Sequence, residues 1–112
     1  DDAAEIARAL AAEGEKILAA MPKDAYKIAL CVEGVQYDSP ALAALIGSAI
    51  DSKGKITFII GSSCGLSKRV KDSADFLLSF SDMTFPHTLF RVMLIEQIYR
   101  GFMIGVDSKY HK

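Results

Sequence analysis

Three short apolar runs, Lys27 to Val32, Ile56 to Ile60 and Phe76 to Phe80, alternate with segments of helical character, and this alternation constrains the fold more than any other feature. Lys27 to Val32 reads as a buried strand closed by Glu33-Gly34. Ile56-Thr57-Phe58-Ile59-Ile60 has the near-continuous apolar character of a central parallel strand. Between the runs, Ile6, Leu10, Ile17 and Met21, flanked by Ala7, Ala11 and Leu18, form one face of a helix over residues 3–20 that Pro22 stops. Asp38-Ser39-Pro40 reads as a second helix start, with Ser39 as N-cap and Pro40 in the first helical position. Leu42, Leu45, Ile46, Ala49 and Ile50 then form its buried stripe. Leu66 to Ser73 reads as a short helix with Lys68, Arg69 and Lys71 toward solvent. Such alternation predicts one α/β domain over residues 1–112, with a mostly parallel sheet, flanking helices and right-handed crossovers.

Composition narrows the class. At 112 residues, 51% apolar and 24% charged, the chain is expected to be a soluble globular domain with a single core. Arg91, Glu96 and Arg100 interrupt its greasiest stretch well short of the roughly 18 residues a membrane span needs. The acidic start Asp1-Asp2-Ala3-Ala4-Glu5 lacks the basic region of a secretory signal, and the missing initiator Met is read as a sign of residues preceding Asp1. Two cysteines, Cys31 and Cys64, make neither a disulfide framework nor a metal set, which places the chain in a reducing cytoplasm. The net charge of −1 conceals an asymmetry: −4 over residues 1–54 and +3 over residues 55–112. That polarity suits an anionic partner on the C-terminal side, and equally ordinary solvated surface.

Residues 87–104 are apolar around most of a helical circumference, through Leu89, Phe90, Val92, Met93, Leu94, Ile95, Ile98, Tyr99, Phe102, Met103 and Ile104. A helix of this kind is buried on nearly every side, and one face of a small sheet cannot provide that. The expectation is a homodimer through this helix, or else a central core helix in a monomer.

Two segments carry chemistry. The strand ending at Ile60 empties into Gly61-Ser62-Ser63-Cys64-Gly65-Leu66, at the place where open α/β sheets bind ligands. Neither the dinucleotide glycine spacing nor a Gly-Lys-Ser/Thr phosphate loop is present, which argues against a nicotinamide or nucleoside triphosphate site. The second segment is Ser79-Phe80-Ser81-Asp82-Met83-Thr84-Phe85-Pro86-His87, with a terminal Tyr110-His111-Lys112 beyond the last helix. His87 is compatible with a base, a phosphate contact or a residue of a helix start. Tyr and His stack on bases and Lys meets phosphate, a combination suited to RNA. Cys64 lacks a nearby His at nucleophile spacing and reads as a small loop residue.

These segments resemble the SPOUT-class methyltransferases, specifically the ribosomal RNA large subunit methyltransferase H family, which methylates N3 of a pseudouridine in 23S ribosomal RNA. The resemblance covers essentially the whole chain. It rests on Phe58-Ile59-Ile60-Gly61 with Gly65-Leu66, Leu78-Ser79-Phe80-Ser81 through His87, Arg91-Val92, Leu94 to Arg100, and Tyr110-His111-Lys112. It implies a deep C-terminal trefoil knot and a bent S-adenosylmethionine held largely by backbone groups. The positions carried over are Leu30, Gly61 and the run Phe80, Ser81, Asp82, Met83, Thr84 and Phe85. His111 and Tyr110 become candidates for substrate positioning and proton removal, Arg91 and Lys112 for contacts to RNA phosphates, and His87 for holding the knot loop. The implied partners are 23S rRNA, in the large subunit or the assembled ribosome, and a second copy through the 87–104 helix, with no membrane and no metal.

Two departures accompany the resemblance. Ser62 stands where the family usually has a second glycine, and the family's N-terminal strand-helix-strand is expected to lie before Asp1. The alternative is a catalytically incompetent dimeric RNA- or ribosome-binding fragment of the same fold.

Overall fold

Each apolar run becomes a strand, and the three strands pair in parallel with the first run between the other two. The structure, a computed structural model, describes residues 2–62 and 65–106. Along the chain the elements are α1 (Ala3–Ala20), β1 (Tyr26–Gln36), α2 (Ser39–Lys53), β2 (Ile56–Ile59), α3 (Lys68–Ser73), β3 (Phe76–Ser79) and α4 (His87–Val106). No helix among the described residues is long and apolar enough to cross a membrane.

The two-residue period of the strands sorts the core onto both faces of the sheet. Ile28 and Leu78 point to one face and are buried with Leu42 and Ile46 of α2, with Ile98 of α4 packed against them. Ala29 points the other way, joining Ile59, Leu66 and Val70, over which Ile17, Leu18 and Met21 of α1 close. The result is a sheet with α2 and α4 on one side and α1 and α3 on the other. Ile28 is fully buried at the centre of the first cluster. Truncation of Ile28 to alanine is expected to cost about 3 kcal/mol, read as a lower urea midpoint with an unchanged slope.

The structure corrects the reading of the strands in two places. The central strand is β1, whereas the β-branched run forms β2 at an edge of the described sheet. Its apolar character reports cover on both faces: Ile56 and Phe58 meet one core cluster, and Ile59 the other. Such cover says nothing about having a strand on each edge. Nor does Glu33-Gly34 close β1, which runs on to Gln36. Leu30 and Val35 both register against Leu78, so Cys31 to Gly34 bulge out without counterparts on β3. Gly34 makes this possible, because a Cβ there would lie 2.7 Å from the Leu77 carbonyl.

The helix starts show how side-chain oxygens are allocated. Asp2 caps α1 by accepting from the Glu5 N–H at 2.8 Å. At α2 the cap is Asp38 rather than Ser39, with its carboxylate accepting from the Ala41 N–H at 2.8 Å. The carboxylate one residue earlier reaches the orphan N–H, which frees the Ser39 hydroxyl to donate to Gln97 Oε1 of α4 at 2.7 Å. Ile50, expected in the buried stripe of α2, is exposed.

α4 packs its Leu94, Ile98 and Gly101 side inward, with Gly101 against Ala43 and Ile46 of α2. Its opposite side presents Leu89, Val92, Ile95, Tyr99 and Phe102, each between 43% and 67% exposed. Their three- and four-residue spacing aligns them in one apolar stripe along the helix.

Candidate functional site

The carboxyl ends of β1, β2 and β3 converge on a cavity of about 310 Å³. Its floor comes from Leu30 on β1 and from Ile60 and Gly61 after β2, and one wall from Ser79, Phe80 and Ser81 after β3. Thr84 and Phe85 of the following loop, with His87 and Phe90 of α4, complete the lining. This is the end of a parallel sheet where the chain must leave each strand, so side chains and free main-chain groups from several loops meet there.

Local chemistry shapes each part. Gly65 takes φ +87°, and its N–H donates to the Ser62 carbonyl at 2.9 Å, folding the glycine turn back on itself. Gly61 lies under that turn, where an added Cβ would meet the main chain of Gly65. In the second loop, Ser79 is buried and its hydroxyl donates to the Ser81 carbonyl at 3.0 Å. The Ser81 hydroxyl accepts from the Met83 N–H at 3.0 Å. These short serine bonds define a loop without regular structure. Phe90 gathers two rings, Phe80 at 5.9 Å and Phe85 edge-on at 5.5 Å between centroids. The three rings pack on one another as an apolar part of the cavity lining.

On the other rim the cavity is charged. Lys71 of α3 donates from Nζ to Glu33 Oε2 at 2.5 Å, and both side chains line the cavity. The ammonium holds the Glu33 carboxyl below its usual range, chiefly by that hydrogen bond. Burial pushes the Cys31 thiol up, and the neighbouring Glu33 charge adds to this. A thiol held protonated is a poor nucleophile, so Cys31 serves as wall rather than reactive group.

Of the residues singled out in the sequence, Leu30, Gly61, Phe80, Ser81, Thr84 and Phe85 line this cavity. Asp82 and Met83 do not: Asp82 accepts from Gln36 Nε2 at 2.8 Å, and the Met83 side chain is 67% exposed. Arg91 lies exposed on α4. Tyr110, His111, Lys112 and Cys64 lie outside the described residues. His87 is the first residue of α4 and lines the cavity. A second groove, of about 510 Å³, lies beyond Leu78 and Phe80, between the start of α2 and α4.

Over residues 1–111 the sequence matches the family described as "Predicted SPOUT methyltransferase". The chain belongs to the SPOUT methyltransferase family. It is 49% identical over 100 residues to the ribosomal RNA large subunit methyltransferase H of Caldicellulosiruptor bescii, covering 89% of this chain and 65% of that protein. The protein of the same name from Clostridium novyi is 50% identical over 101 residues, covering 89% and 64%. That of Streptococcus agalactiae is 46% identical over 106 residues, covering 94% and 67%. The chain thus spans about two thirds of the length of these relatives.

Within this SPOUT domain, Glu33, Lys71 and Phe90 line the cavity without standing out in the sequence. Glu33 reads as the end of a strand, although the end of a parallel strand is where ligands bind. Phe90 completes a five-residue series of rings at 80, 85 and 90 that a search for aromatic spacing finds. For Lys71 no local signal exists, because its placement depends on the β1 bulge.

Proposed function

We propose that this SPOUT chain is the donor-binding part of an S-adenosylmethionine-dependent methyltransferase that acts in the cytoplasm as a homodimer, on N3 of a pseudouridine in 23S ribosomal RNA. The observation that carries the reading is the cavity where Leu30, Gly61 and residues 80–85 meet at the ends of three parallel strands. Its volume falls within the range of small-molecule sites, about 300–1,000 Å³. The ring cluster of Phe80, Phe85 and Phe90 offers an apolar face to a flat purine, and Gly61 and Gly65 bring main-chain groups to the cavity lining. In this reading residues 78–88 pass through the 56–66 loop as a deep trefoil knot, and Asp82 and Met83 contribute through their backbone.

S-adenosylmethionine, when bound, supplies a methyl group already activated by its sulfonium. What remains for the chain is alignment and removal of one proton from N3. Tyr110 and His111 hold the target base and take that proton, while Arg91 and Lys112 meet RNA phosphates. The apolar stripe of Leu89, Val92, Ile95, Tyr99 and Phe102 is the contact with the second copy. The large subunit or the assembled ribosome presents the RNA.

The test is transfer of labelled methyl from S-adenosylmethionine to 23S RNA in ribosomal particles, beside calorimetric titration of the donor alone. Micromolar donor binding with transfer is the expected result. A folded dimer that binds no donor contradicts it, and favours instead a non-catalytic RNA-binding module. Removal of Tyr110, His111 and Lys112 is expected to slow transfer by about 10²- to 10⁴-fold and to leave donor affinity within about twofold. Undiminished transfer rejects the role of the tail.

A further inference from the structure

The Glu33–Lys71 ion pair differs from its counterparts in where it sits. Lys55–Asp24, Lys68–Asp72 and Arg69–Glu15 lie on open surface, with every member more than half exposed, and Arg100–Glu96, 28% and 44% exposed, lies along α4 outside the cavity lining. Such pairs contribute little to stability, about 0–1 kcal/mol. Lys71 is only 26% exposed, and among the described residues its pair with Glu33 is the one in which both members line the cavity. Two elements are specially arranged to bring them together. The bulge at Cys31 to Gly34 carries Glu33 away from the β3 ladder toward the cavity, and α3 supplies Lys71 from beyond the glycine turn.

Resting on the donor reading above, we propose that Glu33 and Lys71 form a clamp for the amino-acid end of the donor. A zwitterion presents an ammonium and a carboxylate side by side. Glu33 meets the first and Lys71 the second, so one internal ion pair is exchanged for two with ligand charges of opposite sign. Alternative occupants fit less well. A ribose diol uses the carboxylate and leaves the ammonium without a role, and an RNA phosphate is attracted by Lys71 but repelled by Glu33. The cavity also has the required polarity, with rings at the Phe80–Phe90 side for the purine and charge at the Glu33–Lys71 rim.

The experiment compares two neutral-sulfur ligands by calorimetry on the whole chain: S-adenosylhomocysteine, which carries the amino-acid end, and 5′-methylthioadenosine, which lacks it. Glu33→Gln and Lys71→Met are each expected to weaken S-adenosylhomocysteine by roughly 10- to 100-fold, while 5′-methylthioadenosine stays within about twofold. Lys71→Met keeps the apolar stem that packs at the rim. Thermal melts of both variants verify the fold, and one folded variant suffices for the comparison. Equal weakening of both ligands, or none of either, overturns the clamp while the donor site stands. Failure of the unmodified protein to bind either ligand overturns the donor reading and the clamp with it.

Discussion

Gly61→Val is expected to abolish donor binding while the chain still folds. A Cβ at position 61 would come within 2.6 Å of the Gly65 carbonyl carbon and 3.0 Å of Leu66 Cδ2. The first of these neighbours is main chain, which cannot swing aside as a long side chain does. Gly65 is itself held at φ +87° by the turn it closes on Ser62, so relief requires the turn to open. That movement displaces the floor of the cavity and leaves Ile28, Leu78, Ala29 and Val70 in place. Affinity for S-adenosylmethionine is expected to fall more than about 100-fold, equivalent to about 2.7 kcal/mol. Loss of about 1 kcal/mol of stability lowers the thermal midpoint by roughly 4–8 °C. Unchanged donor binding in a folded Gly61→Val protein contradicts the placement of the site.

The second large effect concerns α4. Val92 and Ile95 lie mid-stripe, 64% and 67% exposed, between Leu89 on one side and Tyr99 and Phe102 on the other. A stable interface removes about 800 Å² per partner from water, and the centre of such a patch tolerates unpaired charge poorly. Changing Val92 and Ile95 together to glutamate sets carboxylates from two copies against each other across the proposed twofold contact. The dimer is expected to dissociate at least 100-fold more readily, giving monomers at micromolar concentration in sedimentation velocity. Neither residue lines the donor cavity, so donor affinity is expected to change by less than about threefold. A dimer of undiminished stability rejects the stripe as the contact.

The sequence made the helices and strands legible where their causes are local. The period of Ile6, Leu10, Ile17 and Met21 marked α1, and the all-round apolarity of residues 87–104 signalled a face that one copy of the chain leaves uncovered. Gly61, Gly65 and the serine-rich run at 79–81 marked the loops around the cavity, since turn chemistry is written in residue type. What escaped depends on residues distant in sequence. Gly34 reads as a strand terminator until the main chain of Leu77 and Leu78 lies beside it, and then it is the reason β1 continues. Asp38 and Ser39 are both good caps, and with Asp38 in that role the Ser39 hydroxyl bonds Gln97, 58 residues away. Glu33 and Lys71 read as ordinary charges because only the bulge and the glycine turn together bring them to one rim.

In the proposed function the methyl donor binds in the cavity at the ends of β1, β2 and β3. Backbone amide shifts recorded during titration of the protein with S-adenosylmethionine test this directly. The predicted result is saturable movement of Gly61, Gly65, Ser81, Thr84 and Phe85, with Tyr37, Ser39 and Gln97 of the second groove unmoved. Movement confined to that second groove, or no movement in a folded protein, contradicts it.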